Sequence, residues 1–362
     1  MPSNFDLTSL ALGALAPSNE ILVDDLGIPS VMVKVPKLTY AQIGLGSSNA
    51  THPAWIVNGT EVDYIWISKY QNVVMNGRAY SLPGQNVARD INKDAAAAAC
   101  AAKGAGWHLM SAIEWGAIAN WCKNNGFLPW GNNNYGKDSR ESNYKAIPDN
   151  KDSSHYALRV KSGTGPLKWS HNGEPDGIWD LNGNVSEWQG GLRLVYGELQ
   201  VLVNNNAADS GNSQAADAAT WKCISGTDGS YIEPNGSGTT SDSVKLRWDT
   251  NHFKWTTSST ADGTTDYKSC AFEAITVDSS IGAAATLLLQ ALALYKYDNT
   301  SGAYEGDVFY ARTYEAERAF SRGGNYFNGT EAGVFFGDLS LPRSSAYGSI
   351  GFRSAYVKLP AA

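Results

Sequence analysis

The sequence predicts an α+β fold, rich in strands and ordered loops and carrying two helices. Three observations lead there. Val62-Asp-Tyr-Ile-Trp-Ile-Ser68 alternates with the two-residue period of a strand, placing Val62, Tyr64 and Trp66 on one face and Asp63, Ile65 and Ile67 on the other. Two segments, 93–103 and 111–124, have helical spacing and recognisable ends. The remainder is dense in Gly, Asn, Ser and Thr, and only 17% of the chain is charged.

The 362 residues suit one large domain with insertions, or two domains, and a hydrophobic content of 43% is enough for a substantial core. Residues 1–50 mix apolar pairs with turn signals and read as an N-terminal extension of short strands or an arm, used for assembly or attachment. Residues 51–362 read as the main domain. The net charge of -7, with no basic run, argues against nucleic acid as a partner.

The elements follow in order. Ala54-Trp-Ile-Val57 is a further strand-like run. The first helix is dominated by Ala, the best helix former, and ends at Gly104. The second opens on Ser111-Ala-Ile-Glu114, a capping box in which Ser and Glu satisfy orphan backbone N–H groups. Trp115, Ile118, Ala119 and Cys122 share its core face, and Gly126 stops it. Residues 129–177 are Gly-, Asn- and Asp-rich and read as long ordered loops. Residues 191–203 read as a strand pair turning near Tyr196-Gly197. Residues 204–267 are too polar for a core of their own, yet four tryptophans and tyrosines (Trp221, Tyr231, Trp248, Trp255) argue for order. They read as an insertion, either a small β subdomain or a long loop. Residues 281–297 form a buried helix or strand.

Cys100, Cys122, Cys223 and Cys270 make no CxxC and have no His at zinc-ligand spacing. Cys100 and Cys122 read as buried thiols. Cys223 and Cys270 flank a loop-rich segment and either pair or stay free. The N-terminus lacks the pattern of a secretory signal, and the longest apolar run, 281–295, is too short to cross a bilayer, so no membrane insertion is expected.

The segment Gly177-Ile-Trp-Asp-Leu-Asn-Gly-Asn-Val-Ser-Glu-Trp188 resembles the Gly-Asn-Val-x-Glu-Trp signature of the formylglycine-generating (sulfatase-modifying) family. Gly106-Trp-His-Leu-Met-Ser-Ala-Ile-Glu-Trp115 resembles that family's helix entry, and Arg322-Gly-Gly and Gly351-Phe-Arg353 its closing motifs. The resemblance implies a C-type lectin fold: two helices packed on small twisted antiparallel sheets, loop-rich. The 322–353 segment is similar to the variable region of diversity-generating retroelement proteins, a branch that includes phage tropism determinants. In that branch randomised Asn codons cannot yield Gln, Met, Trp, Lys or Glu. Between Asn325 and Ile350 only Glu331 belongs to that set.

The resemblance implies a binding face rather than a catalytic centre. The candidate face is Tyr326, Phe327, Asn328, Phe336, Asp338, Ser340, Leu341, Ser345, Tyr347 and Ser349, aromatic and small polar residues of the kind that build paratopes. Period two over 345–350 and 338–340 places Ser345, Tyr347, Ser349, Asp338 and Ser340 outward. Leu339, Ala346, Gly348 and Ile350 then point in. Phe335, Phe352, Trp179 and Trp188 are expected in the core, and Arg322 and Arg353 in structural pairs. Asn184 and Glu187 correspond to the family's calcium-binding loops and suit either a structural Ca²⁺ or a hydrogen-bonded turn under the face. Otherwise no cofactor is implied.

The implied setting is a phage or prophage tail, that is, a virion or an extracellular location after release. The partners would be a host cell-surface protein or glycan, further copies of the chain with a trimer first, and other tail proteins through residues 1–50. A bacterial surface-displayed adhesin is the alternative. An oxidase of the formylglycine-generating kind is the remote one, because its C-terminal cysteine pair has no counterpart after Cys270.

Overall fold

The computed structural model describes residues 4–259 and 266–359. Among the described residues a smaller sheet of five strands, a larger one of twelve, three two-stranded ribbons and four α-helices are joined by long loops: the fold is α+β, mostly sheet.

The smaller sheet has five strands, ordered Asn19–Val23, Pro29–Pro36, Tyr64–Ser68, Ser354–Tyr356, Trp107–Leu109. Its central strand behaves as the alternation predicts: Ile65 and Ile67 are buried, and Tyr64 is exposed. Val62 and Asp63 depart from that pattern, Val62 buried and Asp63 exposed, because the strand begins only at Tyr64. Ala54-Trp-Ile-Val57 is a 3-10 turn, Pro53–Trp55, followed by a two-residue strand. Residues 19–36 supply two strands to this sheet, while helix α1 (Asn4–Leu15) precedes them.

The larger sheet runs from Lys268–Ala271 through Val308–Ala311, Gly337–Leu341, Arg318–Arg322 and Ser186–Val195 to Glu198–Val201 and beyond. It is mixed rather than small and antiparallel. Val308–Ala311 pairs in parallel with Gly337–Leu341, because Arg318–Arg322 lies on the far side of Gly337–Leu341 and the chain must cross back. Residues 204–267 add strands to the same sheet, including Lys245–Asp249 and His252–Thr256, and bury Trp221 and Trp255. The hairpin at 195–198 turns through Tyr196 (φ 49°) and Gly197 (φ 78°), the two left-handed residues of a type I′ turn.

Helices α2 (Lys93–Ala101) and α3 (Ala112–Asn124) stand where their end signals place them. The capping box is present: Ser111 Oγ accepts from Glu114 N, and a Glu114 carboxylate oxygen accepts from Ser111 N at 2.9 Å. Buried His108 holds the same carboxylate, Nε2 to Oε1 at 2.9 Å. Trp115, Ile118, Ala119 and Cys122 are all buried. The 281–297 segment resolves to helix α4, Ala283–Ala291. All four cysteines are free thiols, so Cys223 and Cys270 do not pair. No helix among the described residues is long and apolar enough to cross a membrane.

Helices α3 and α4 meet closely. A β-carbon added at Gly116 would stand 2.2 Å from the Ala291 carbonyl oxygen and 2.8 Å from the Leu292 carbonyl carbon. On an exposed helix, Gly→Ala stabilises by about 1 kcal/mol. Here backbone would have to move, and overpacking of this kind costs about 1–3 kcal/mol. Gly116→Ala is therefore expected to lower the urea midpoint without changing the slope; a raised midpoint would refute the close contact.

Candidate ligand-binding face

Two buried arginines hold the frame of the C-terminal segment. Arg353 is bidentate on Glu187, Nε to Oε2 at 2.6 Å and Nη2 to Oε1 at 2.5 Å. Its remaining N–H groups reach the carbonyls of Ser68, Trp179 and Asp180. Arg322 donates to four carbonyls: Leu292 and Ala293 at the end of α4, and Phe335 and Phe336 across the bend. Phe335, Phe352, Trp179 and Trp188 are buried as expected.

The register sets both ends of the segment on one residue. Glu187 pairs with Arg322 on one side and with Gly351 on the other. The stretch 323–350 thus leaves and rejoins the sheet beside one residue, and in between it re-enters the same sheet as the strand Gly337–Leu341. It leaves through Gly323 (φ 86°) and Gly324 (φ 71°), a bend that residues with a β-carbon rarely adopt.

Asn184 and Glu187 lie directly beneath. Asn184 Oδ1 accepts from Asn132 Nδ2 and Val160 N, and its Nδ2 donates to Gln71 Oε1 and Val160 O. Glu187 is taken by Arg353 and by Gln71 Nε2 at 3.0 Å. A Ca²⁺ ion needs six to eight oxygens. These two residues have theirs committed to protein donors, so they do not fit that ion and form instead the hydrogen-bonded turn. Among the described residues no group of three or more His, Cys, Asp or Glu is placed to hold a metal.

The candidate face divides. Phe327 (48% exposed) and Tyr347 (52%) stand out, with Tyr326, Asn328 and Ser349 half-buried beside them. Arg159 joins the two parts: its Nη1 donates to the Gly348 carbonyl at 2.9 Å, and its guanidinium lies 5.6 Å from the Tyr326 ring centre. Asp338 is half-buried and farther along the sheet, opposite Tyr310. Burial raises its carboxyl above the ordinary range.

Several outward assignments are corrected. Phe336 is buried, its ring 5.5 Å from that of Tyr310, because it sits in the turn before the strand rather than in the alternation. Ser340 is buried as well as Leu339: the pairing with Arg318–Arg322 slips between Ala319 and Ser321, and the pleat loses its regular period there. Leu341 is half-buried against the core around Trp188. Ser345 is buried and Ala346 exposed, the reverse of the expectation, and Gly348 is half-exposed. The strand ends at Leu341 because Pro342 has no N–H for the ladder; turns then run to 349, closed by Ser345 N to Pro342 O and Ile350 N to Tyr347 O. Ile350 is buried as expected.

Residues outside the segment also reach this surface. Tyr135 meets Tyr326 edge-on at 5.7 Å, stacks on His155 at 3.7 Å, and donates its backbone N–H to the Tyr326 carbonyl. Tyr144 and Tyr156 stack at 4.1 Å nearby. Aromatic residues inside a Gly- and Asn-rich stretch were the signal in the sequence that could have found them.

No family model matches the chain, and no curated protein matches it. Solved structures similar in chain trace include the following two. The structure of PvdO from Pseudomonas aeruginosa is 12% identical over 93% of this chain and 97% of that one, with a TM-score of 0.34. Treponema denticola variable protein 1 is 10% identical over 94% of this chain and 99% of its own, with a TM-score of 0.31.

Two predictions follow from the frame. Replacing Arg353 by Met strands a buried carboxylate, and breaking such a pair costs about 3–5 kcal/mol. Urea unfolding should show a loss of that size, whereas a loss under 1 kcal/mol would mean Glu187 finds another donor. The second concerns Asp307, whose Oδ2 accepts from Phe335 N at 2.7 Å at the base of the segment. Burial pushes its carboxyl up to about 8 from an ordinary 3.8. The folded state therefore holds a proton that the unfolded state has released, and stability drains away as pH rises from about 4 to about 8. Asp307→Asn keeps an acceptor and removes that proton. Its stability relative to the parent should rise across the window, and a pH-independent difference would contradict the assignment.

Proposed function

We propose that the chain is a ligand-binding protein that displays a retroelement-diversified surface, carried on a phage or prophage tail to select a host receptor. One observation carries the reading. Arg322 and Arg353, at the two ends of the segment, are buried and each held by several hydrogen bonds, while Phe327 and Tyr347 stand exposed on turns between them. Substitution at such exposed turn positions changes the surface and leaves the core alone. Rigid aromatics give contact area at low entropic cost, and small polar neighbours such as Asn328 and Ser349 adapt their hydrogen bonds.

In this reading the ligand is a cell-surface protein or glycan, and the protein performs no catalysis. The oxidase alternative lacks its thiol pair, since no cysteine follows Cys270. Burial raises the thiols that exist, Cys270 to about 11, away from the reactive thiolate. Several copies on one particle would multiply a weak contact, so a homo-oligomer, a trimer first, belongs to the proposal. Exposed Leu10, Leu15, Val23 and Leu26 support residues 1–50 as the surface for tail proteins or further copies.

The test is binding of the labelled chain to a panel of intact bacterial cells. The pair Phe327→Ala and Tyr347→Ala should reduce retention about tenfold or more. As both side chains are exposed, stability should move by no more than about 0.5 kcal/mol. Unchanged retention by the cells that bind the parent would refute the face. Sibling sequences should differ at adenines of the 3′ coding end; even variation along the chain would refute diversification.

A further inference from the structure

The loop from 129 to 168 differs in charge from the rest of the molecule. It holds seven Lys and Arg against four Asp and Glu, whereas the remaining residues hold 21 against 31. Three of its acids already have side-chain partners: Asp138 with Arg140, Asp149 with Arg159 and Arg89, and Asp152 with the imidazole of His155. Glu141 is taken by the Asp138 backbone N–H. Lys137 and Lys151 have no carboxylate within ion-pair distance among the described residues. They flank the stacked tyrosines instead, Lys151 Nζ 4.9 Å from the Tyr156 ring centre and Lys137 Nζ 6.0 Å from that of Tyr144.

This array is joined to the C-terminal segment. Gly136 (φ 105°) lets the chain turn between the two stacks, and a β-carbon there would stand 3.0 Å from Tyr156 and 3.3 Å from Tyr144. The residue before it, Tyr135, is the one that meets Tyr326. Beneath the 329–331 turn a cavity of about 200 Å³ opens between the two segments, lined by Asn133, Ser139, Arg140, Glu305, Thr330 and Ala332. Ser139 Oγ is buried there without a hydrogen-bond partner.

We infer that this composite surface binds a glycan whose sugar residues carry acidic groups. The cavity has the dimensions of a single sugar ring and is lined almost wholly by polar side chains. An orphan buried hydroxyl is costly unless a ligand partners it. The exposed Phe327 ring and the half-buried Tyr326 ring supply apolar contact for sugar faces, and Lys137 and Lys151 rather than Arg140, which Asp138 and Glu305 already hold, meet the acid. An acidic peptide is the less suited occupant, because a half-open cavity of about 200 Å³ seats one ring and offers an extended backbone no further length. The inference rests on the reading of residues 326–349 as a ligand face and assigns its fixed half to residues 133–156.

The experiment is affinity electrophoresis of the full chain through gels holding hyaluronan, heparin, polysialic acid, neutral dextran or polyglutamate. Retardation by at least one acidic glycan and not by dextran is expected. Lys137→Gln with Lys151→Gln should weaken it about tenfold, and so should Thr330→Trp, which fills the cavity from an exposed position. Circular dichroism checks that each variant is folded. Four outcomes overturn the inference: equal retardation by dextran, preference for polyglutamate, no retardation by any of the three acidic glycans, or insensitivity to these substitutions. If Phe327→Ala with Tyr347→Ala still abolishes cell binding in those cases, the ligand face stands and only its acidic-glycan half is lost.

Discussion

The Arg353–Glu187 pair is the interaction on which the rest of the structure depends. It is fully buried, and its geometry is that of a fork on a carboxylate, which keeps a desolvated pair from becoming a liability. Its second role is topological. Ser68 ends a strand of the small sheet and Gln71 follows it, Trp179 and Asp180 lie in the 177–188 segment, Glu187 is in the large sheet, and Arg353 precedes the strand Ser354–Tyr356. One guanidinium therefore fixes three distant parts of the chain against each other. The hydrophobic core supplies the bulk of the stability but no direction. The pair supplies the direction.

Arg322 complements it at the other end of the segment. Its partners are carbonyls rather than a carboxylate, two of them at the end of α4. The negative end of a helix accepts a cation there, so the bend after Arg322 is held by the helix that packs on α3. The close approach at Gly116 and the seat of Arg322 are two consequences of the same α3–α4 placement.

What could be read from the sequence was what is local. Ser111 and Glu114 are three residues apart, so their mutual cap is written in the order of residues. The same holds for the glycine stops at 104 and 126 and for the Tyr196-Gly197 turn. The roles of Arg322 and Arg353 were legible because each lies in a short motif. The orientation of 340–349 was not, because a pleat was assumed to continue through Pro342, and a bulge on the neighbouring strand is invisible from Ser340 alone. The loop half of the face was not legible either. Tyr135 and Tyr326 meet only because the Asn132–Asn184 hydrogen bond and the pairing on Glu187 bring their segments together, and no spacing in the sequence encodes that.

The pairing of Glu187 with both Arg322 and Gly351 bears on length as well as on sequence. The two turns, 325–331 and 342–349, each run between fixed points, the Arg322 bend, the strand Gly337–Leu341 and the Ile350 pairing, and ask little of their own contour. Closing a longer loop costs only about 0.6 kcal/mol for each doubling. Insertions and deletions in the exposed turns around Phe327 and Tyr347 would therefore be absorbed without moving the anchors, whereas 334–341, buried and paired in the sheet, has no such freedom. The fold thus leaves room for change in the reach and curvature of these two turns, and not merely in the chemistry at their positions.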